Sequence, residues 1–275
     1  MILPLVVILW GAASPASAIE LQSATLAAWQ DYARGAGVRM QSRLDAKESF
    51  LWIDESADRA QRVRRGETVV APLLDHGMRP VPHGVIHHWI GAIFVPGATR
   101  ASFLAVADDY DRYSEIYQPV VADSKSLATN PNAPAFSMIW HRRVLFIDAA
   151  IQGSFQAHEG LVDSRRGYSV VDATRIQQIE YYRHASERLL PPDTGDGFMW
   201  RIQSLIRFEQ RDGGIYLEIE AITLTRDIPV SLKWLVAPVI ERLSVNSLAT
   251  TLEQTRKAVN AQSVTVAMRD RQGQK

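Results

Sequence analysis

The segment WRIQSLIRFEQRDGGIYLEIEAITLT, residues 200–225, decides the fold. Two runs of alternating character flank Asp212-Gly213-Gly214, and successive side chains of a strand point to opposite faces. Trp200, Ile202, Ser204, Ile206 and Phe208 share one face of the first arm, and Ile215, Leu217, Ile219, Ala221 and Thr223 share one face of the second. A two-residue loop at Asp212-Gly213 sets Ile206 opposite Ile219 and Phe208 opposite Leu217. A loop at Gly213-Gly214 shifts the partners by two and keeps the faces. Either way the apolar residues meet on one side. Arg201, Gln203 and Arg207 meet Glu218 and Glu220 on the other, which is expected to face solvent with Arg207 paired to Glu218 or Glu220.

The flanking sequence supplies partners for this hairpin. Upstream, Phe136–Ile147, Phe155–Val162 and Tyr168–Tyr182 read as strands, with turns at Asn130-Pro131-Asn132 and over 164–167. Val85–Val95 is rich in β-branched and aromatic residues and stops at Pro96-Gly97. Thr99–Tyr117 reads as a helix. Phe103, Val106, Ala107 and Tyr110 form its apolar stripe, Tyr113 and Tyr117 extend it, and Pro119 ends it. Downstream, Leu232, Leu235, Val236, Val239 and Leu243, then Leu248, Leu252, Thr255 and Val259, are spaced for one helix face, with a kink or break expected at Pro238. Residues after Ala261 are polar and are expected to fray. At the other end, Leu26, Trp29, Ala33, Ala36, Met40 and Leu44 mark an amphipathic helix over Leu21–Leu44. The charged stretch Asp54–Gly66 reads as a solvated surface. Val69–Leu74 reads as a short strand, and Pro72, Gly77, Pro80 and Pro82 as a linker.

Composition narrows the function. The 275 residues are 47% hydrophobic, enough to bury a sizeable core. Thirty basic residues balance thirty acidic ones without a basic tract, which argues against nucleic acid as a partner. The absence of cysteine excludes disulfides, thiolate nucleophiles and cysteine-ligated zinc. Ile2–Trp10 is apolar and Ala16-Ser17-Ala18 fits a small-x-small cleavage site, so residues 1–18 are expected to be a signal peptide and the protein to be exported, periplasmic or secreted. No basic residue precedes the apolar run. Residues 19–80 are then expected to form a helical extension and linker, 81–262 the main domain, and 263–275 a disordered tail.

The order strand, helix, antiparallel strands, C-terminal amphipathic helix resembles the START-like helix-grip superfamily (SRPBCC, polyketide cyclase/dehydrase, Bet v 1-like). The resemblance spans roughly residues 82–261. It is carried by His87-His88-Trp89-Ile90-Gly91 with Phe94-Val95-Pro96-Gly97-Ala98, by Asp108-Asp109-Tyr110 with Glu115-Ile116-Tyr117-Gln118-Pro119, and by Glu220-Ala221-Ile222-Thr223-Leu224 running into Asp227-Ile228-Pro229. The whole chain resembles bacterial exported proteins of this type. The resemblance implies an α+β fold in which a curved antiparallel sheet wraps around a long C-terminal helix, with the N-terminal helical extension outside the family core. It also implies a cavity for a lipid, sterol or polyketide-like molecule.

No catalytic signature accompanies the fold. His87 and His88 are adjacent on a strand, point to opposite faces and cannot chelate one metal, and the other histidines show no ligand spacing. No cofactor motif occurs. Glu159 shares a strand face with Phe155, Ala157 and Leu161. Facing the cavity, it would pair with Arg142, Arg143 or Arg175 and orient a ligand or transfer protons; facing the other way, it would lie in water. Trp140 and Trp200 are candidates both to stack on a flat ligand and to pack the core. Ser204 and Thr223 would supply hydroxyls to an apolar cavity. The candidate ligand-binding residues are therefore Trp140, Arg142, Glu159, Arg175, Trp200, Ser204 and Thr223. The expected function is binding or carriage of a hydrophobic small molecule. Its rivals are a cyclase/aromatase-type enzyme using Glu159 with an arginine, and an interaction module whose N-terminal stripe contacts a protein or, transiently, a membrane.

Overall fold

The computed structural model describes residues 19–127, 133–144, 147–196, 199–227 and 230–273. The leader and the Asn130-Pro131-Asn132 turn lie outside these residues, as do the side chains of Leu232, Leu235, Val236 and Val239. The chain runs β1 (Ile19–Glu20), α1 (Ser23–Leu44), a 3-10 turn (Trp52–Glu55), α2 (Ala57–Arg64), β2 (Val69–Pro72), β3 (Met78–Val81), β4 (Gly84–Pro96), α3 (Arg100–Ala107), a 3-10 turn (Tyr110–Arg112) and α4 (Tyr113–Ile116). There follow β5 (Val121–Ser126), β6 (Ala135–Val144), β7 (Ile147–Leu161), β8 (Arg166–Glu180), β9 (Arg188–Leu189), β10 (Thr194–Gly195), β11 (Arg201–Arg211), β12 (Gly214–Arg226) and α5 (Val230–Gly273).

One antiparallel sheet has the order β2-β4-β12-β11-β8-β7-β6-β5, with β3 also beside β4 and β9 beside β8. The β11–β12 register follows the two-residue loop, with Ile206 opposite Ile219 and Phe208 opposite Leu217. Asp212 and Gly213 both take positive φ, 54° and 74°, as the turn matching strand twist requires. The sheet curves around α5, so the helix-grip α+β arrangement is present. Leu248, Leu252 and Val259 of α5 pack on Trp89, Ile93, Val95, Phe208 and Leu217, joined by Phe103 and Val106 of α3. Gly91 permits this approach: a Cβ there would lie 2.6 Å from Leu252 Cδ1.

Several expected boundaries move. The Thr99–Tyr117 helix breaks after Ala107 into a short turn and α4. The run read as Phe136–Ile147 is cut at Val144, and β7 starts at Ile147, well before Phe155. The proline-rich linker contributes β3, an edge strand where a missing N–H is tolerated. Helix α5 passes through Pro238 without ending and continues beyond Ala261 to Gly273, so 263–273 is helical rather than a disordered tail.

The largest correction concerns the outer face of β4, β12 and β11, which is not solvated. Trp29, Ala36 and Met40 of α1 pack on Ile86, Leu205, Ile222 and Leu224. The stripe proposed as an interaction surface is thus buried within the fold. Residues 50–53 and Val63 of α2 cover Ile90, Ala92, Phe94 and Tyr216 beside it. Beneath this layer Arg207 is fully buried, 3.3 Å from Glu218 and 3.4 Å from Glu220. Glu218 also accepts the backbone N–H groups of Trp52 and Ile53, both at 2.9 Å. Glu220 bonds His88 Nε2 at 2.8 Å, and His88 Nδ1 bonds the Tyr32 hydroxyl at 2.6 Å. Burial pushes the Glu218 carboxyl up, against the pull of Arg207 and the two N–H groups. Burial also acts upward on Glu220, but the His88 hydrogen bond and Arg207 outweigh it and hold that carboxyl below its usual value.

Removing one member of a buried ionic group strands the others. Arg207→Met should therefore lower unfolding stability by about 3–5 kcal/mol, read from urea denaturation at pH 7. The triple variant R207M/E218Q/E220Q should recover most of the loss. A single-variant loss below about 1 kcal/mol would mean that Arg207 is not the counter-charge of both glutamates.

Candidate functional site

The two faces of the β11–β12 hairpin are covered to different degrees. On the outer face Leu205, Arg207, Glu218, Ile222 and Leu224 are all buried. On the concave face Ile202, Ser204, Ile206, Ile219, Ala221 and Thr223 are only half-buried, as are Val171 and Ala173 of the neighbouring strand. Helix α5 is anchored beside this strip by Leu248, Leu252 and Val259, and Thr255 bonds the Tyr117 hydroxyl at 3.1 Å. A folded chain normally buries its apolar side chains more completely than its charged ones. Here the charged face is sealed and the apolar face is left partly open.

The candidate residues divide across this geometry. Ser204 lies between Ala221 and Val171, and Thr223 between Ile202 and His87, all on the concave face. Trp140 and Arg142 follow Phe136 and Met138 in strand alternation and share that face at the far wing. The Trp140 ring meets Phe155 edge-on at 5.3 Å. Two residues do not join them. Trp200 precedes β11 and packs beneath α1 with Trp29, Leu205 and Ile222. Arg175 is turned outward by a β-bulge. Ser154 pairs with Arg175 but Phe155 pairs with Ala173, so Thr174 is the extra residue and Ile176 takes the inward position.

Glu159 is on the concave face, in step with Phe155 and Ala157, but at its exposed end. Its partner is Tyr110, whose hydroxyl donates to Glu159 Oε1 at 3.1 Å while its ring stacks on Phe136 at 4.2 Å. The arginine pairing does not form. Arg142 lies opposite Ala149 of β7, ten positions from Glu159, or about 33 Å of strand. Arg175 points away, and the Arg143 side chain lies outside the described residues. Asp108, which ends α3, stands close enough for its charge to oppose that of Glu159. Partial burial and then this repulsion raise the Asp108 carboxyl to about 6. The same two causes raise the Tyr110 hydroxyl, so it remains a donor at neutral pH. As a residue Asp108 is exposed, so the upward direction rests most firmly on the neighbouring carboxylate.

A second polar group sits deeper. As alternation requires, His88 joins the outer network and His87 faces inward. His87 Nε2 lies 3.0 Å from Thr225 Oγ1, but His87 Nδ1 is buried without a partner, and so is Trp89 Nε1 two residues on. Each unsatisfied buried group costs about 1–3 kcal/mol. Sequence periodicity could have placed both inside; it could not have shown that they lack a hydrogen-bond partner there. Among the described residues no group of three or more His, Asp or Glu is arranged to hold a metal ion, and no helix is long and apolar enough to cross a membrane.

No family model and no curated protein matches the chain. It is similar in shape to the STAR-related lipid transfer protein of Xanthomonas axonopodis (13% identity, 70% of this chain and 98% of that one, TM-score 0.45). It is also similar to the Zhui aromatase/cyclase of Streptomyces sp. R1128 (12% identity, 64% and 94%, TM-score 0.41) and to human STARD10 (10% identity, 68% and 74%, TM-score 0.42).

The rim carboxylates give a pH signature. The folded value of Asp108 lies above its ordinary 3.8. This group therefore contributes stability below about pH 4 that is lost as pH rises through about 6. Glu159→Gln should bring the Asp108 midpoint part of the way down, followed by the side-chain carboxyl carbon signal in NMR titration. An unchanged midpoint would show that Glu159 is not a cause of the shift.

Proposed function

We propose that the chain is an exported protein that binds or carries an uncharged, largely apolar small molecule between the concave face of the sheet and α5. The supporting observation is the half-open apolar strip of Ile202, Ser204, Ile206, Ile219, Ala221 and Thr223, set against the sealed outer face. Affinity would come from covering that strip, at about 25 cal/mol per Å² before ordering costs, with a few hydroxyls setting orientation. Binding without chemistry is favoured over the cyclase reading. The latter needs Glu159 shielded from water beside a cation, whereas Glu159 is exposed and bonded by a tyrosine. Export is supported by the apolar run and the Ala16-Ser17-Ala18 site. Cleavage after Ala18 would leave β1, which pairs Ile19 with Gly195, intact.

Native mass spectrometry of the protein taken from the periplasm or medium of an expressing bacterium should find a chain beginning at Ile19, with a co-purifying apolar molecule. Ala221→Phe, which fills the strip opposite Trp89, should abolish that adduct and shift Tm by only a few degrees. A chain retaining residues 1–18 would contradict export. Loss of several kcal/mol of stability in Ala221→Phe would identify the strip as packed core.

A further inference from the structure

The unpartnered pair on β4 defines what the polar part of such a ligand must be; this step rests on the binding reading above. His87 and Trp89 are alternate residues on the concave face, each 4% exposed, opposite Thr223 and Ala221 of β12. We assign the His87 tautomer by taking the Thr225 hydroxyl as donor to the neighbouring carbonyl. The Thr225 hydroxyl donates to the Arg226 carbonyl at 3.2 Å, so its oxygen is the acceptor for His87 Nε2–H. That leaves His87 Nδ1 as a bare acceptor, with no group among the described residues donating to it. Trp89 Nε1–H is the converse, a donor with nothing to accept from it. The indole is held in place by Gly77, whose φ is 70° and where a Cβ would lie 2.2 Å from the ring. Burial holds the imidazole down to about 4, so this end of the face is uncharged at neutral pH. Neither side chain bonds a charged group.

An acceptor and a donor on one patch of an apolar face are complemented by a group that both donates and accepts. A hydroxyl does so without charge. A carboxylate or phosphate would meet the bare lone pair of Nδ1 after losing its water, and a hydrocarbon would leave both groups unmet. We propose that His87, Trp89 and Thr223 form the polar end of the binding site and receive the hydroxyl of an otherwise apolar alcohol or phenol.

Two probes of nearly equal shape test this: 2-naphthol and 2-methylnaphthalene, titrated against the full-length mature protein by calorimetry. The wild type should bind the naphthol about tenfold more tightly, since one net hydrogen bond is worth roughly that factor. Trp89→Phe and His87→Phe should each cut the naphthol preference over 2-methylnaphthalene to about twofold. Thr223→Val gives the same comparison should either ring variant fail to fold by circular dichroism. Equal affinity for both probes in the wild type, unchanged in the variants, would overturn the hydroxyl site and leave the apolar binding reading standing. Binding of neither probe would overturn the hydroxyl site and count against the apolar reading as well.

Discussion

Two-residue alternation in the β11–β12 hairpin is the constraint on which the rest of the structure depends. It puts Arg207, Glu218 and Glu220 on one face and Ile206, Ile219 and Ala221 on the other. A register slip of one residue would exchange the two sets. The charged set is made tolerable inside by mutual pairing and by hydrogen bonds from Trp52, Ile53 and His88. Those donors come from the N-terminal layer and from β4, so the network joins the extension to the sheet at several points. Such a network adds little net stability over an apolar core. It does require one particular seating of α1 and of the Trp52–Glu55 turn.

With the outer face of β4, β12 and β11 closed, the concave side of these strands is where surface is left to cover. Helix α5 and the tyrosines after α3 cover it unevenly. At one wing Tyr110 stacks on Phe136 while Tyr113 meets Phe136, Tyr110 and Tyr117 edge to face, and Leu248 and Leu252 close the side above Gly91. Between them lies the strip to which we assign the ligand. Its chemistry is graded along the strands: exposed carboxylates at the Glu159 end, and an uncharged donor–acceptor pair at the His87 end. An amphiphile would find a preferred direction in such a gradient.

Much of this was legible in the residues. The Asp212-Gly213 turn allows few registers, and the alternation around it left one way to assemble the faces. The opposed roles of His87 and His88 followed from the same period. What periodicity does not reveal is which element lies over a face. Arg207 and both glutamates therefore read as a solvent-side pair, although α1 buries them. It also fails wherever the period is interrupted. The bulge at Thr174 reverses Arg175, and Trp200 stands before the first ladder residue of β11 and so escapes the alternation. The break after Ala107 falls where Asp108 and Asp109 interrupt a continuous apolar stripe, a local preference that the stripe concealed. For Glu159 the period left both a cavity-facing and a water-facing position open; it lies on the concave face yet in water, because depth depends on where the covering helices stop.

The difference in cover between the two faces can be measured directly, because the chain contains no cysteine of its own. Ala221→Cys and Ile222→Cys place single thiols on adjacent residues of β12, one on the concave face and one beneath α1. Under native conditions N-ethylmaleimide should modify the Cys at 221 at least tenfold faster than the one at 222, and the two rates should converge in urea. Equal protection of both thiols, or faster labelling at 222, would contradict the account.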